Sequence, residues 1–156
     1  MNTPYTVKFR LETFTVHDNG KPDGGSFRAG VPLRGAEDVA RFARSIYETM
    51  DADKEHFVLL TLNNKNRLTG FKVISTGSLT ASLVHPREVF TAALDLRAAA
   101  IIFVHNHPSG DPAPSPEDID ITKRLKECAD LLGIRCLDHV VLGDERFFSF
   151  SDKRML

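Results

Sequence analysis

Ile102-Phe103-Val104-His105-Asn106-His107-Pro108-Ser109-Gly110-Asp111-Pro112-Ala113-Pro114-Ser115-Pro116-Glu117-Asp118 is the stretch on which the reading of this 156-residue chain turns. An apolar run over residues 98–104, Ala-Ala-Ala-Ile-Ile-Phe-Val, leads straight into His105. A run of that kind predicts a buried strand with the histidines at its C-terminal end. Side chains at i and i+2 of a strand share a face, so two imidazoles at that spacing can converge on one ion from a rigid support. Asp118, just beyond the loop, completes a three-ligand set with an open fourth position, the catalytic kind of zinc site.

Half of this pattern has an ordinary structural explanation. Ser115-Pro116-Glu117-Asp118 is a good helix start: serine at the N-cap, proline in the first turn, acids against the helix dipole. Capping does not account for two histidines at ligand spacing ahead of a loop held by Pro108, Pro112, Pro114 and Pro116. Proline fixes φ and lowers the entropy lost on ordering, so such a loop can hold Asp118 at a set distance from the imidazoles. Capping and ligation are compatible uses of the same residues.

Outward from this segment, residues 116–132 predict a helix stopped by Gly133, and residues 134–142 and 147–150 predict strands. Upstream, Pro86 opens a helix through about Leu96. Residues 57–62 and 68–75 read as strands joined by the turn Asn63-Asn64-Lys65-Asn66. Val39, Phe42, Ala43, Ile46, Tyr47 and Met50 recur at helical spacing, which predicts an amphipathic helix over residues 35–50. Residues 5–16 alternate as a half-buried strand, and residues 18–25 are turn-rich and read as a mobile linker. The expected organisation is an N-terminal strand and Gly/Pro-rich linker over 1–34, then one domain over 35–156. Helices interleaved with strands, one pair a hairpin, imply an α/β sandwich with a mixed sheet.

Composition excludes several classes. Apolar residues make up 42% and charged residues 26%, ordinary for a globular domain. A formal net charge of −1 gives the whole-molecule field no hold on nucleic acid or an anionic membrane. No apolar run approaches the roughly 20 residues that span a bilayer, and residues 1–5 lack a signal-peptide core, so a cytoplasmic location is expected. The two cysteines, Cys128 and Cys136, lack CxxC spacing and read as reduced packing residues.

Two imidazoles and a carboxylate suit zinc and leave iron, cobalt and manganese open. The chain has no H-E-x-x-H, so a general base must come from elsewhere. It also lacks the H-x-E and P-C-x-x-C of the zinc deaminases. The pattern His105-x-His107, seven residues, Ser115, two residues, Asp118 resembles, in full, the JAMM (JAB/MPN+) metalloprotease motif. Beyond it, AAAIIFVHNHPSG, HNHPSGDPAPS, PREVF and LDHVVLGDERFFSF look like the RadC branch of that family, a likeness over about residues 35–150.

The resemblance implies a three-layer, cytidine-deaminase-like α/β/α fold and a zinc ion held by His105, His107 and Asp118. It implies that Ser115 hydrogen-bonds a tetrahedral intermediate. The family's general base is a glutamate where a helix runs into a strand, a place Glu55 fits, with Glu48 as the rival inside the helix. The implied reaction is amide hydrolysis on a polypeptide or isopeptide substrate. Full-length RadC proteins carry an N-terminal helix-hairpin-helix segment that suggests DNA contact, whereas residues 1–30 here read as a strand and a glycine-rich linker. The alternatives are a DNA-repair or mobile-element factor, and a binding module that keeps the metal without turnover. The net charge counts against the first and the complete residue set against the second. His139, beside Asp138, is expected to be structural or to brace a ligand, and Asn106 to face away from the histidines and brace the loop.

Overall fold

The computed structural model describes residues 15–16, 22–23, 30–77 and 84–156. Its elements are β1 (Thr15–Val16), β2 (Pro22–Asp23), α1 (Ala36–Tyr47), β3 (Glu55–Leu62), β4 (Leu68–Gly77), α2 (Pro86–Asp95), β5 (Ala100–Asn106), α3 (Pro116–Leu132), β6 (Arg135–Leu142) and β7 (Phe147–Ser149). Five strands form one sheet in the order β4-β3-β5-β6-β7, and β1 pairs with β2 in a separate two-stranded sheet. The sheet is mixed, as expected. The β3–β4, β3–β5 and β6–β7 pairs are antiparallel, and β5–β6 is parallel. That parallel pair is possible because α3 supplies the long crossover between its strands.

Both faces of the sheet are covered. Val58, Leu60 and Leu62 of β3, Ile102 and Val104 of β5, and Val140 and Leu142 of β6 form one cluster with Val39, Phe42 and Ile46 of α1. The alternate residues Phe57, Leu59, Ile101 and Phe103 form a second cluster with Val89 and Phe90 of α2 and Ile121, Leu125 and Ala129 of α3. Buried on both sides, β3 and β5 read as near-continuous apolar runs. From α1, the Tyr47 hydroxyl reaches the carbonyls of His56 (2.7 Å) and Val104 (2.9 Å), tying β3 to β5. Burial pushes its pKa well above the usual tyrosine value.

Strand β6 contains an irregularity that decides where its side chains go. Ile101 pairs with Cys136 but Ile102 pairs with Asp138, so β6 holds one extra residue there. Cys136 packs with α2 and α3, whereas Val140 and Leu142 pack with α1. Strict alternation would keep those three on one face; the bulge reverses the phase and turns His139 toward the α2–α3 side.

Some boundaries differ from the sequence reading. β5 starts at Ala100 rather than residue 98, because the end of α2 takes those residues: Arg97 has φ 50° and the Ala98 N–H closes onto the Ala93 carbonyl. It continues through Asn106 because β6 pairs with it that far. β3 begins at Glu55, two residues earlier than expected. Of the strand expected over 5–16, only Thr15–Val16 lies within the described residues; of the linker over 18–25, only Pro22–Asp23 does, and it is paired with β1. Cys136 is buried, which pushes its thiol up to about 12, and Cys128 is half-buried, in keeping with packing roles. Among the described residues no helix is long and apolar enough to cross a membrane.

Leu60 is fully buried on the α1 side of the sheet. Leu60→Ala is expected to cost about 2–5 kcal/mol in chemical denaturation. Because its side chain lies on the face away from His105, metal stoichiometry in the folded variant is expected to stay unchanged.

Candidate metal centre

His105 is fully buried near the end of β5, His107 lies just past the strand, and Asp118 is buried in the first turn of α3. His105 Nε2 and His107 Nε2 are 3.0 Å apart. Asp118 Oδ1 is 3.2 Å from His105 Nε2, and Asp118 Oδ2 is 3.3 Å from His107 Nε2. The three residues expected from the sequence are thus brought together, and they could hold a metal ion.

Local structure sets each of them. Ser115 is the N-cap of α3: its Oγ accepts the Asp118 N–H, and Asp118 Oδ2 accepts the Ser115 N–H (2.7 Å) and O–H (2.8 Å). Gly133 closes the helix at φ 69°. The loop after His107 is held against the β6–β7 turn, where the Asp144 N–H donates to the Gly110 carbonyl. A Cβ on Gly143 would lie 2.3 Å from that carbonyl oxygen. Arg44 of α1 fastens the same turn by donating to the carbonyls of Gly143, Asp144 and Arg146.

Proton positions follow from what each partner can do. His107 Nδ1 lies 2.8 Å from the Asp111 carbonyl, which only accepts, so Nδ1 carries hydrogen and the neutral ring keeps its lone pair on Nε2. His105 Nδ1 lies 2.8 Å from His139 Nε2. His139 Nδ1 in turn meets Thr122 Oγ1, which also bonds the Asp118 carbonyl. Burial holds the His139 pKa well below the usual histidine value.

Burial alone would raise the Asp118 carboxyl, but the imidazoles of His105 and His107 beside it, in the forms that carry a proton on Nε2, outweigh burial and hold the group well below the usual carboxylate range. His107 is raised, first by its bond to Asp118, against burial, with further help from the Asp111 carbonyl and the charges of Asp118 and Glu55.

Two imidazole nitrogens and a carboxylate meeting at one point are a donor set for a cation. Tetrahedral zinc with ligands at 2.0–2.2 Å places neighbouring donors roughly 3.3–3.6 Å apart. The observed separations of 3.0, 3.2 and 3.3 Å fit a small first-row ion and suit an oxygen-seeking calcium ion poorly.

Glu55 is the first residue of β3, two positions before Phe57 and so on the same face of the sheet. Phe57 pairs with His105 at the end of the β3–β5 ladder, and the charge of Glu55 contributes to raising His107. Glu48 is instead the C-cap of α1. Asn106, expected to brace the loop, grips the start of β3: its Oδ1 accepts the His56 N–H (2.8 Å) and its Nδ2 donates to the Lys54 carbonyl (2.9 Å). Both peptide groups flanking Glu55 are held by this one side chain. Asp138 takes no part in the imidazole contacts; its carboxylate accepts the main-chain N–H groups of His139 and Ser151 and the Ser149 hydroxyl. The sequence reading passed over Thr122, whose only signal is its place one helical turn after Asp118.

Fold and site together define a JAB-type domain: a mixed α/β sheet whose central strand delivers two imidazoles to a helix-borne carboxylate. Within that class the chain belongs to the RadC-like JAB domain family, whose pattern matches residues 33–155. It is 57% identical over 110 residues to a UPF0758 protein of Geotalea uraniireducens, covering 70% of this chain and 48% of that one. It is 50% identical over 138 residues to a UPF0758 protein of Geobacillus thermodenitrificans, covering 88% of this chain and 58% of that one. The chain spans about half the length of the curated relatives it matches.

Two tests follow from the geometry. His107→Ala and Asp118→Ala are each expected to abolish stoichiometric zinc uptake, read by metal analysis after desalting. The pH test has opposite signs in the two states. A raised His107 contributes stability below its unfolded value and loses it as pH rises through the folded one. A lowered Asp118 contributes above its unfolded value and loses it as pH falls through the folded one. Metal-free stability from this pair is therefore greatest between about pH 4 and 6.5. Zinc uptake runs the other way, because the ion must displace the His107 proton. As pH is lowered, chelator competition is expected to show affinity beginning to fall while the pH is still above the ordinary histidine value of about 6.5.

Proposed function

We propose that this chain is a zinc-dependent amide hydrolase, a metallopeptidase or isopeptidase acting on a polypeptide. The observation that supports the reading is the His105, His107 and Asp118 donor set together with Glu55 at the start of β3, the strand whose Phe57 pairs with His105. A carboxylate in that position is what hydrolysis requires and what a purely structural metal does not. The coverage of the sheet by α1 on one side and α2 and α3 on the other supports the three-layer, cytidine-deaminase-like reading of the fold.

A zinc ion held by His105, His107 and Asp118 would polarise the scissile carbonyl and let a water ionise near neutral pH. Glu55 takes the proton of the attacking water and hands it to the leaving amine. Asn106 holds the peptide groups on both sides of Glu55, which limits how far that base can wander. Ser115 donates to Asp118 Oδ2 at 2.8 Å, and rotation of its hydroxyl redirects that proton to the developing oxyanion. Such a donor is typically worth about 3–4 kcal/mol in the transition state.

The experiment is a peptide and isopeptide library cleavage assay on zinc-loaded protein. Glu55→Gln is expected to retain zinc and lose turnover. Full activity in that variant would remove Glu55 from the base role. Ser115→Ala is expected to lower kcat roughly 10²-fold and to cost about 1 kcal/mol of stability through the lost cap.

A further inference from the structure

The buried polar groups behind His105 form a chain with a direction. Thr122 Oγ has one hydrogen, and its contact with the Asp118 carbonyl, which can only accept, uses it. The contact between Thr122 Oγ1 and His139 Nδ1 must then be donated by the imidazole. His139 is fully buried, with Phe57, Phe103 and Phe150 around its ring and, among the described residues, no carboxylate bonded to the ring nitrogens, so a charged ring there would be uncompensated. A neutral ring with hydrogen on Nδ1 has a lone pair on Nε2, and that lone pair faces His105 Nδ1 at 2.8 Å. His105 must then carry a hydrogen on Nδ1, which in the neutral ring leaves the lone pair on Nε2, the atom 3.2 Å from the Asp118 carboxylate.

We propose that Thr122 and His139 are positioning residues that dictate the tautomer of His105 and so make it a metal ligand. The chain begins at the Asp118 main chain and returns to the Asp118 side chain, coupling two of the three donors through buried hydrogen bonds. The inference rests on the metal centre but not on peptidase activity.

The test uses the whole chain with ¹⁵N-labelled histidine. In metal-free protein near pH 8, long-range ¹H–¹⁵N spectra are expected to show His105 and His139 both protonated at Nδ1. Thr122→Val keeps the shape of the side chain and removes the acceptor. It is expected to move the His139 hydrogen to Nε2 and the His105 hydrogen to Nε2. Zinc affinity by chelator competition should then weaken roughly 10- to 100-fold, and Thr122→Ser should restore both readouts. An Nε2–H tautomer at His105 in the unsubstituted protein would overturn the proposal. So would a folded Thr122→Val variant with unchanged tautomers and unchanged zinc affinity. Should the unsubstituted protein take up no zinc, the metal reading fails, and the metal-free tautomers still decide the relay.

Discussion

A strand hydrogen-bonded along both edges cannot turn its side chains, and β5 passes that rigidity to His105. Its ladders to β3 and β6 fix which face each residue presents and which neighbour it meets. Phe57 of β3 stacks on the His105 ring, with centroids 6.1 Å apart, and His139 of β6 approaches from the other side at 4.8 Å. Slipping either strand by one residue would exchange these groups for members of the α1-side core. The donor set is thus a property of sheet register as much as of three residues.

The other donors depend on less rigid supports and are fixed by polar contacts instead. His107 lies past the last paired residue of β5 and is held by the Asp111 carbonyl and by a loop wedged against Gly143. Asp118 is held by the capping box it forms with Ser115. Burying a carboxylate is costly unless it is paired, and here the N-cap amide and hydroxyl and the two imidazoles share that burden. Among the described residues, no buried side-chain nitrogen or oxygen lacks a partner.

What could be read from the sequence was what is local in the chain. His105, His107, Ser115 and Asp118 sit within fourteen residues, and strand alternation plus helix capping bring them together without knowledge of tertiary structure. The helices and the buried strands were legible for the same reason, through period and end signals. Glu55 needed the family likeness, because the strand that carries it meets β5 only through long-range pairing, Phe57 with His105. His139 was harder still: counting alternate residues from Cys136 sends it to the wrong face, and only the extra residue in β6 corrects the count. Thr122 looked like any polar residue on a helix, since its importance lies in a hydrogen already given to the Asp118 carbonyl.

The capping box on α3 has a consequence for exchange with solvent. First turns of helices are where fraying begins, and in this helix that turn carries Asp118, one of the residues that could hold a metal ion. Central strand β5 is paired on both edges, so an ion held there would be lost first from the helix side while His105 stays in place. An ion bound to both would lend the fraying turn some of the sheet's stability, by about 2.7 kcal/mol at a hundredfold excess over Kd. Such a centre would act as a rivet between a strand bonded along both edges and the first turn of a helix.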